Sequence, residues 1–310
     1  MNPTLSIVVP ARNVARWIDE AVRSALGSRL ACEVLVVDDG SSDDTCCRVE
    51  QIRDSRVRVV RQRPLGLSSA RNRGITEATG QFISFLDGDD CVLAAELDRA
   101  VSRLARTEAW VIYGETMIMD SLGRVFGARP PPLFAPRPEG DVLRALLARN
   151  FIASTGATAI RRIAFESVGR YAPELVRAQD WEMWCRLAAK GRFLYAGPRP
   201  ILLRRVRVGS VSATIGLSAA EMLRTIEVVF SNADVVGAIP RERLRTLERM
   251  QIAFAHVVAG TECLRARRFD EARRALARAL AMDPTRPEAG VLLLAALARR
   301  LPSSLERRLK

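Results

Sequence analysis

The sequence predicts an α/β protein with a mostly parallel sheet and helices on both faces, followed by an all-α C-terminal region. Two observations indicate this fold class. Short apolar runs alternate with helical periodicity up to about residue 115, which is typical of parallel strands joined by helices. From about residue 216 the pattern is helical without a strand candidate. The 310 residues suffice for two domains, and we place them at residues 1–215 and 216–310.

The individual elements follow from the local pattern. Short apolar runs that fit buried strands cover residues 5–9, 33–39, 56–60, 81–87 and 110–115, with a further strand-like run at 200–207. Helical spacing of apolar residues, or a good helix start, predicts helices over 14–26, after Gly40, over about 68–79 and over 179–191. Strands and helices therefore alternate along the first domain.

The charge of the chain is strongly basic, with a net charge of +13. Residues 1–215 contribute +7 (31 basic against 24 acidic) and residues 216–310 contribute +6 (17 against 11). No polybasic run of the nucleic-acid-binding kind is present, so we expect no nucleic acid partner. The excess of basic residues has two interpretations. It can reflect a solvated surface rich in arginine, or it can attract anionic lipid headgroups and phosphorylated substrates.

The cysteines and the apolar runs indicate the cellular compartment in which we expect the protein. The six cysteines show no CxxC spacing, which predicts neither zinc nor disulfides and favours a reducing cytosol. The apolar run near the start is too short for a signal peptide, and the longest late run, 289–298, is about half of a membrane span. We expect a cytoplasmic protein, either fully soluble or in peripheral contact with the inner membrane face.

Carboxylates follow two of the predicted strands. Asp38 and Asp39 end the second strand, while Asp87 and Asp89 end the fourth, and ligands of such sheets bind beyond the carboxyl ends of strands. Side chains two apart in an extended segment share a face, and two carboxylates about 4 Å apart repel by roughly 4 kcal/mol at an effective dielectric of 20. The pair at 87 and 89 therefore predicts either a bound cation or a protonated acid.

The C-terminal region contains one match to a tetratricopeptide-type repeat, at about residues 253–286. Residues of the expected small or apolar type occupy positions 8, 20, 24, 27 and 32 of the 34-residue pattern, namely Gly260, Ala272, Leu276, Ala279 and Pro284. Stable arrays usually need three or more repeats. We therefore expect this segment to pack on the first domain, or to dimerise or bind a protein partner through its helices.

Five sequence motifs occur in the order seen in family 2 glycosyltransferases, which the chain resembles over roughly residues 4–213. They are SIVVPARN (6–13), VLVVDDGSSDDT (34–45), GLSSARNRGITEATG (66–80), FISFLDGDD (82–90) and AQDWEMWCRLAAKG (178–191). The resemblance implies a Rossmann-like GT-A fold and inverting transfer of a sugar from a nucleotide-sugar donor to a glycan or glycolipid. It also implies a divalent cation, Mg²⁺ or Mn²⁺.

The resemblance also implies donor-binding roles. Pro10 and Arg12 lie in the first motif, and Asp39 resembles the aspartate that accepts the imide N–H of uracil, which favours a UDP-sugar and leaves dTDP-sugars open. Arg71 resembles an arginine of the nucleotide pocket, the alternative being a helix-surface arginine. Asp87 and Asp89 resemble the DXD motif.

In that motif Asp87 would approach the ribose and Asp89 would ligate the metal. The alternative for this segment is an Asp-Gly turn that caps the next helix, a task we expect of Asp90.

Asp180 resembles the catalytic base of the family, which removes the proton of the acceptor hydroxyl. The bare residue pattern also fits a helix N-cap at this position. Trp181 is expected either to bind the acceptor by stacking on its sugar or to pack in the core, whereas Trp184 is expected in the core.

Two residues depart from the family pattern. Arg12 stands where a tyrosine is frequent, and Arg207 stands where a histidine often assists the metal and diphosphate. Because guanidinium cannot ligate a cation, we expect Arg207 to bind the donor diphosphate directly.

Two other functions are alternatives to this one. A nucleotidyltransferase usually has a glycine-rich loop after the first strand, and residues 10–17 contain no glycine. A non-catalytic nucleotide-sugar-binding or scaffolding protein, acting through the helical repeat, is the alternative from another class. The presence of Asp39, Asp87, Asp89 and Asp180 together favours the enzyme.

Overall fold

The computed structural model describes residues 3–128, 137–206 and 219–298. Its residues group into two compact units. The first consists of the residues up to Leu146 together with Asn150–Arg207, and the second consists of Leu147–Arg149 together with the residues from Val208 onward. The first unit contains a sheet with helices, and the second is helical. The α/β class with an all-α C-terminal region is confirmed.

The strands and helices of the N-terminal part alternate as predicted in its first half. The strands are β1 (Leu5–Ala11), β2 (Ala31–Asp38), β3 (Val57–Arg61), β4 (Phe82–Phe85), β5 (Cys91–Val92), β6 (Val111–Met119), β7 (Val125–Ala128), β8 (Thr158–Arg161) and β9 (Phe193–Arg205). The helices are α1 (Ile18–Leu26), α2 (Thr45–Glu50), α3 (Leu67–Glu77), α4 (Ala94–Ala105), α5 (Leu143–Ala148), α6 (Ala164–Val168) and α7 (Gln179–Lys190).

The sheet is parallel on one side and mixed on the other. Its strand order is β3-β2-β1-β4-β8-β6-β9-β5, with β7 paired to β6. β1, β2, β3 and β4 run parallel, whereas β8 is antiparallel to both β4 and β6. The parallel half matches the prediction, and the mixed half differs because residue pattern does not encode strand direction.

Helices cover both faces of the parallel half. Leu5, Ile7 and Val9 of β1 are fully buried in the cluster that includes residues of α1 and α4. Val8 points the other way, where a Cβ on Gly74 of α3 would lie 2.2 Å from Val8 Cγ1. Because β1, β2 and β4 are parallel, their carboxyl ends meet at one edge of the sheet.

A buried carboxylate joins the strands near the opposite edge. Glu33 of β2 accepts hydrogen bonds from Ser6 Oγ (2.6 Å), Thr79 N (2.7 Å) and Thr79 Oγ1 (2.7 Å) through Oε1, and from Arg58 Nη1 (3.1 Å) through Oε2. Burial alone would raise the pKa of Glu33, but these hydrogen bonds and the charge of Arg58 lower it below 4.5. Glu33 therefore links β1, β2, β3 and the end of α3.

The second unit is built from five described helices. They are α8 (Ala219–Ser231), α9 (Ala233–Ala238), α10 (Arg241–Arg265), α11 (Phe269–Met282) and α12 (Pro287–Leu297). The segment predicted as a repeat, 253–286, falls on the second half of α10 and on α11. A Cβ on Gly260 would lie 2.5 Å from Leu276 Cγ, so the glycine permits the close approach of these two helices. The tetratricopeptide assignment stays a prediction.

Among the described residues no helix combines the length and apolarity that crossing a bilayer requires.

Replacing Glu33 by Gln should lower the free energy of unfolding at pH 7 by about 1.5–3 kcal/mol, because hydrogen bonds to a charged group are lost. A carboxyl group with a lowered pKa in the folded state stabilises above its ordinary pKa and loses this effect on protonation. The gap between wild type and variant should therefore shrink as the pH falls below about 4.5. Urea unfolding from pH 7 to pH 3 measures it.

Glu77→Gln is the matched control, since Glu77 pairs with the same Arg58 but at the surface. It should change the free energy of unfolding by less than about 1 kcal/mol. Equal effects of the two variants would contradict the role given to Glu33.

Gly260→Leu should destabilise the helical unit by about 1–3 kcal/mol, because the new side chain has no room against Leu276. Gly290→Leu is the control, since a Cβ there meets nothing within 4 Å. Thermal unfolding of both variants tests this. Equal melting temperatures would show that the contact at Gly260 does not limit the packing of α10 on α11.

Candidate active site

The loops after β1 and β2 are tied together at the carboxyl edge of the sheet. Asp39 N donates to Ala11 O (2.9 Å). Asn13, whose φ is +52°, donates from its backbone N to Ser41 Oγ (3.0 Å) and accepts from Ser42 N (2.8 Å) through Oδ1. Pro10 lies buried at the end of β1, one residue before this junction.

Asp39 is buried and already engaged by the chain. Its Oδ1 accepts from Gln62 Nε2 and Leu65 N, both at 2.8 Å, and its Oδ2 accepts from Gly66 N at 2.9 Å. Arg12 Nη1 lies 3.9 Å from Oδ2. Asp39 therefore holds the 62–66 loop with three accepted hydrogen bonds. Since a carboxylate offers about four acceptor positions, one position is left for a further donor, on the side where Arg12 lies.

The two predicted ligand acids stand on a tight turn against β1. Asp90 N donates to Asp87 O (2.9 Å). A Cβ on Gly88 would lie 2.9 Å from Val14 Cγ2 and 3.5 Å from the carbonyl of Pro10. Glycine is therefore needed for the turn to approach the end of β1, and this approach brings Asp87 and Asp89 beside the loop that carries Arg12.

Arg71 of α3 is buried beside this turn, with only 4% of its side chain exposed. Its Nη2 donates to Asp87 Oδ1 (3.3 Å), and its Cζ lies 5.9 Å from the ring centre of Phe85 and 5.5 Å from that of Tyr171. Among the described residues Nε and Nη1 have no hydrogen-bond partner. The sequence alternative, a helix-surface arginine, is thereby excluded. Buried donors of this kind normally have partners, so an anionic ligand fits here.

Asp180 lies in the first turn of α7, which begins at Gln179 after Ala178 with φ +51°. Its Oδ1 accepts from the backbone N of Trp181 (2.8 Å), and its side chain is partly exposed. The charges of Arg71 and Asp180 both act on the hydroxyl of Tyr171. Asp180 and Arg71 thus both lie within electrostatic range of that hydroxyl. Asp180 is not the N-cap of α7, a position that Ala178 holds.

Two sequence expectations are corrected. Trp181 is only 5% exposed and donates from Nε1 to Leu146 O (2.8 Å), so its ring is packed in the core instead of facing an acceptor sugar. Asp90 does not cap the next helix: α4 has Leu93 at its N-cap, and no side chain caps it. The core position expected for Trp184 is confirmed, since that residue is fully buried.

Arg205 was missed by sequence reasoning, although it fixes the turn that carries the acids. Its side chain is 1% exposed and donates to Asp89 O (2.8 Å), Asp120 O (3.1 Å) and Glu20 Oε2 (2.7 Å). Its backbone N donates to Asp90 Oδ1 (2.8 Å). Burial, together with the charges of the two neighbouring acids, raises the pKa of Asp90.

The acids present fit a divalent cation that is shared with a substrate. Asp87 and Asp89 are both partly exposed at the turn, and Mg²⁺ commonly uses one or two carboxylates and completes its shell with substrate phosphates. Over the ranges that the structure describes, no group of three or more His, Cys, Asp or Glu residues could hold a metal alone. Arg207 lies outside the described residues.

Arg205→Met should lower the free energy of unfolding by about 2–3 kcal/mol, because it leaves the carbonyl of Asp89 and the carboxylate of Glu20 without their charged donor. Arg199→Met is the control on the same strand. The side chain of Arg199 is 70% exposed and forms a long ion pair of 3.6 Å with Glu96. This substitution should cost less than about 0.5 kcal/mol. Urea unfolding of both variants measures the difference. Similar unfolding midpoints would contradict the conclusion that Arg205 fixes the turn that carries Asp89 and Asp90.

Comparison with known proteins adds independent findings. The family described as Glycosyl transferase family 2 matches residues 6–169, a little over half of the chain. EpsJ from Bacillus subtilis, named an uncharacterized glycosyltransferase, is 39% identical over 115 residues, which cover 36% of this chain and 33% of EpsJ. WfgD from Escherichia coli is 34% identical over 119 residues, covering 38% and 47%. The chain thus spans a third to a half of these two relatives.

Two further similarities extend over more of the chain. WfaP from Escherichia coli is 26% identical over 214 residues, covering 67% of this chain and 80% of WfaP. TarS from S. aureus, residues 1–349, has a TM-score of 0.63 at 18% identity and covers 96% of this chain and 87% of its own. The GT-A type of fold is confirmed by this likeness. With more than half of its length matched by the family, the chain belongs to glycosyl transferase family 2.

Proposed function

We propose that this protein transfers a sugar from a nucleotide-sugar donor to a glycan or glycolipid acceptor, with inversion and with the aid of Mg²⁺ or Mn²⁺. One observation carries the proposal. The buried guanidinium of Arg71, with two nitrogens that lack partners in the described part of the chain, stands beside Asp87 at the edge where β1, β2 and β4 end. Such a site suits the negative charge of a nucleoside diphosphate.

The nucleotide would bind at the loops after β1 and β2. Asp39 would accept the imide N–H of the base through the acceptor position left on its carboxylate, with Pro10 and Arg12 forming the adjacent wall. A UDP-sugar is favoured for this reason. The names of WfgD and WfaP describe UDP-Glc-dependent transferases, and TarS has been solved with UDP-GlcNAc, which supports the same donor class here.

The diphosphate would lie over the turn at Gly88. Asp89 would hold the divalent cation, and Asp87 would approach the ribose. When bound, the cation neutralises the charge that develops on the departing nucleoside diphosphate. A mannosyltransferase from Pyrobaculum calidifontis, with a TM-score of 0.59 at 21% identity over 99% of this chain and 83% of its own, was solved with GDP-Man and Mn²⁺. We expect Arg207 to contact the same diphosphate.

Asp180 would act as the general base. Its carboxylate is partly exposed, and its charge acts on the hydroxyl of Tyr171, as the charge of Arg71 does. It would take the proton of the acceptor hydroxyl as that oxygen attacks the anomeric carbon from the face opposite the diphosphate. Direct displacement of this kind inverts the configuration at that carbon.

The acceptor class is inferred from the relatives and from charge. WfgD and WfaP are named for a diphosphoundecaprenol-linked GlcNAc acceptor. A lipid-linked acceptor would place the protein at the inner face of the membrane, where its net charge of +13 favours contact with anionic headgroups. The C-terminal helices would then be available for a protein partner or for dimerisation.

Asp180→Asn should reduce sugar transfer by about 10²–10⁴-fold, because the general base is lost. Donor binding should stay within about twofold, since Asp180 has no part in holding the nucleotide. Transfer is measured with a panel of UDP-, dTDP- and GDP-sugars, and donor binding by thermal stabilisation in the presence of Mn²⁺. Glu166→Gln, an exposed carboxylate in α6, serves as the control and should keep full activity.

A second outcome separates the enzyme from a non-catalytic binding protein. A scaffold would be stabilised by a donor but would turn it over at the same negligible rate with and without Asp180. Equal rates of donor hydrolysis and transfer in wild type and Asp180→Asn would therefore contradict the proposed mechanism.

A further inference from the structure

Tyr171 lies at the junction of α3 and α7, and neither the sequence motifs nor the proposed mechanism gives it a role. It is 1% exposed. Its ring centre lies 5.5 Å from Cζ of Arg71, and it meets the ring of Phe85 edge-on at 5.7 Å and 88°. Within the described ranges its hydroxyl has no hydrogen-bond partner.

The backbone of Tyr171 is fixed from both helices. Asn72 of α3 donates to Tyr171 O and accepts from Tyr171 N, both at 2.8 Å. On the other side, Arg186 of α7 donates to the carbonyls of Val168 (2.5 Å) and Arg170 (2.8 Å). The position of the ring is therefore set by the chain and does not depend on a bound ligand.

Arg186 is itself held in place. It forms a two-pronged ion pair with Glu182, one turn away on α7, at 2.6 and 2.8 Å. The loop that ends at Tyr171 is thus anchored to the same helix that carries Asp180. This loop therefore connects α7, which carries the proposed base Asp180, with α3, which carries Arg71. The connection consists of the hydrogen bonds of Arg186 on one side and of Asn72 on the other.

The contact between Arg71 and Asp87 is long and consists of a single hydrogen bond. A guanidinium next to a carboxylate usually forms two parallel hydrogen bonds of about 2.7–2.9 Å. Here a single bond of 3.3 Å is formed. The rings of Tyr171 and Phe85 lie within cation–π distance of the guanidinium and attract it.

We propose that Tyr171 is a positioning residue: its ring holds Arg71 away from a two-pronged pair with Asp87, so that the arginine and the acid both remain available to the donor. The inference rests on the proposed function. The hydroxyl is not needed for this task, because within the described residues it makes no hydrogen bond. The aromatic face is the part that acts.

Three variants test the proposal. Tyr171→Leu removes the aromatic face, and it should raise the Kd for UDP with Mn²⁺ by about 5–30-fold, which is the range of a partly desolvated cation–π contact. The KM for the donor should rise likewise, with kcat and the acceptor KM unchanged. Tyr171→Phe keeps the ring and should bind UDP within about twofold of wild type. Isothermal titration calorimetry gives the binding constants.

Phe165→Leu is the matched control for lost core packing. Phe165 is equally buried and meets the same Phe85 ring at 6.4 Å. The Phe165→Leu variant should destabilise the protein about as much as Tyr171→Leu does, while its Kd for UDP stays within about twofold of the wild-type value. In an Arg71→Met background, Tyr171→Leu should have no further effect on UDP binding. Equal effects of the two Leu variants, or an effect that persists without Arg71, would overturn the proposal.

A crystal structure of Tyr171→Leu without ligand separates this inference from the proposed function. We expect Arg71 to have moved into a two-pronged pair with Asp87. If Arg71 keeps its single bond, the positioning role is wrong even for a protein that binds UDP. If Arg71 moves but wild type binds no nucleotide diphosphate, the role in the apo protein stands and the proposed function fails.

Discussion

A buried cation with too few partners is the constraint on which the rest of the site depends. Removing a guanidinium from water is costly unless its donors are paired, yet Arg71 donates only to Asp87 among the described residues. The surrounding chain tolerates this because two aromatic rings and one carboxylate share the charge. The turn at Gly88, which carries Asp87, is fixed in turn by its close approach to β1 and by the hydrogen bonds of Arg205 to Asp89 and Asp90.

The motifs gave the edge of the sheet and the identity of its acids. Parallel strands with acids after their carboxyl ends had to place Asp39 and Asp87 at the same edge of the sheet, and the structure does so. A buried position for Arg71 could not be read from helical spacing, since it depends on the rings of Phe85 and Tyr171 on other elements. The family resemblance pointed to this residue, and only tertiary packing shows that its guanidinium is buried and incompletely paired.

Other features depend on contacts far apart in the chain. Arg205 donates to the carbonyl of Asp89, 116 residues away, and a backbone carbonyl leaves no trace in a motif. The sequence leaves Trp181 open between stacking on an acceptor sugar and packing in the core. The structure buries it and pairs its Nε1 with the carbonyl of Leu146, which no local pattern encodes. The direction of β8 was equally hidden, since a short apolar strand can pair either way.

The three hydrogen bonds that hold Asp39 have a consequence for the choice of pyrimidine. A carboxylate fixed by Gln62, Leu65 and Gly66 cannot rotate to present a donor, and it has none to present when ionised. Within the proposed function, cytosine would place its unprotonated ring nitrogen against this oxygen, and the two lone pairs would repel. Under that proposal, Asp39 would disfavour cytidine donors because it offers acceptors only.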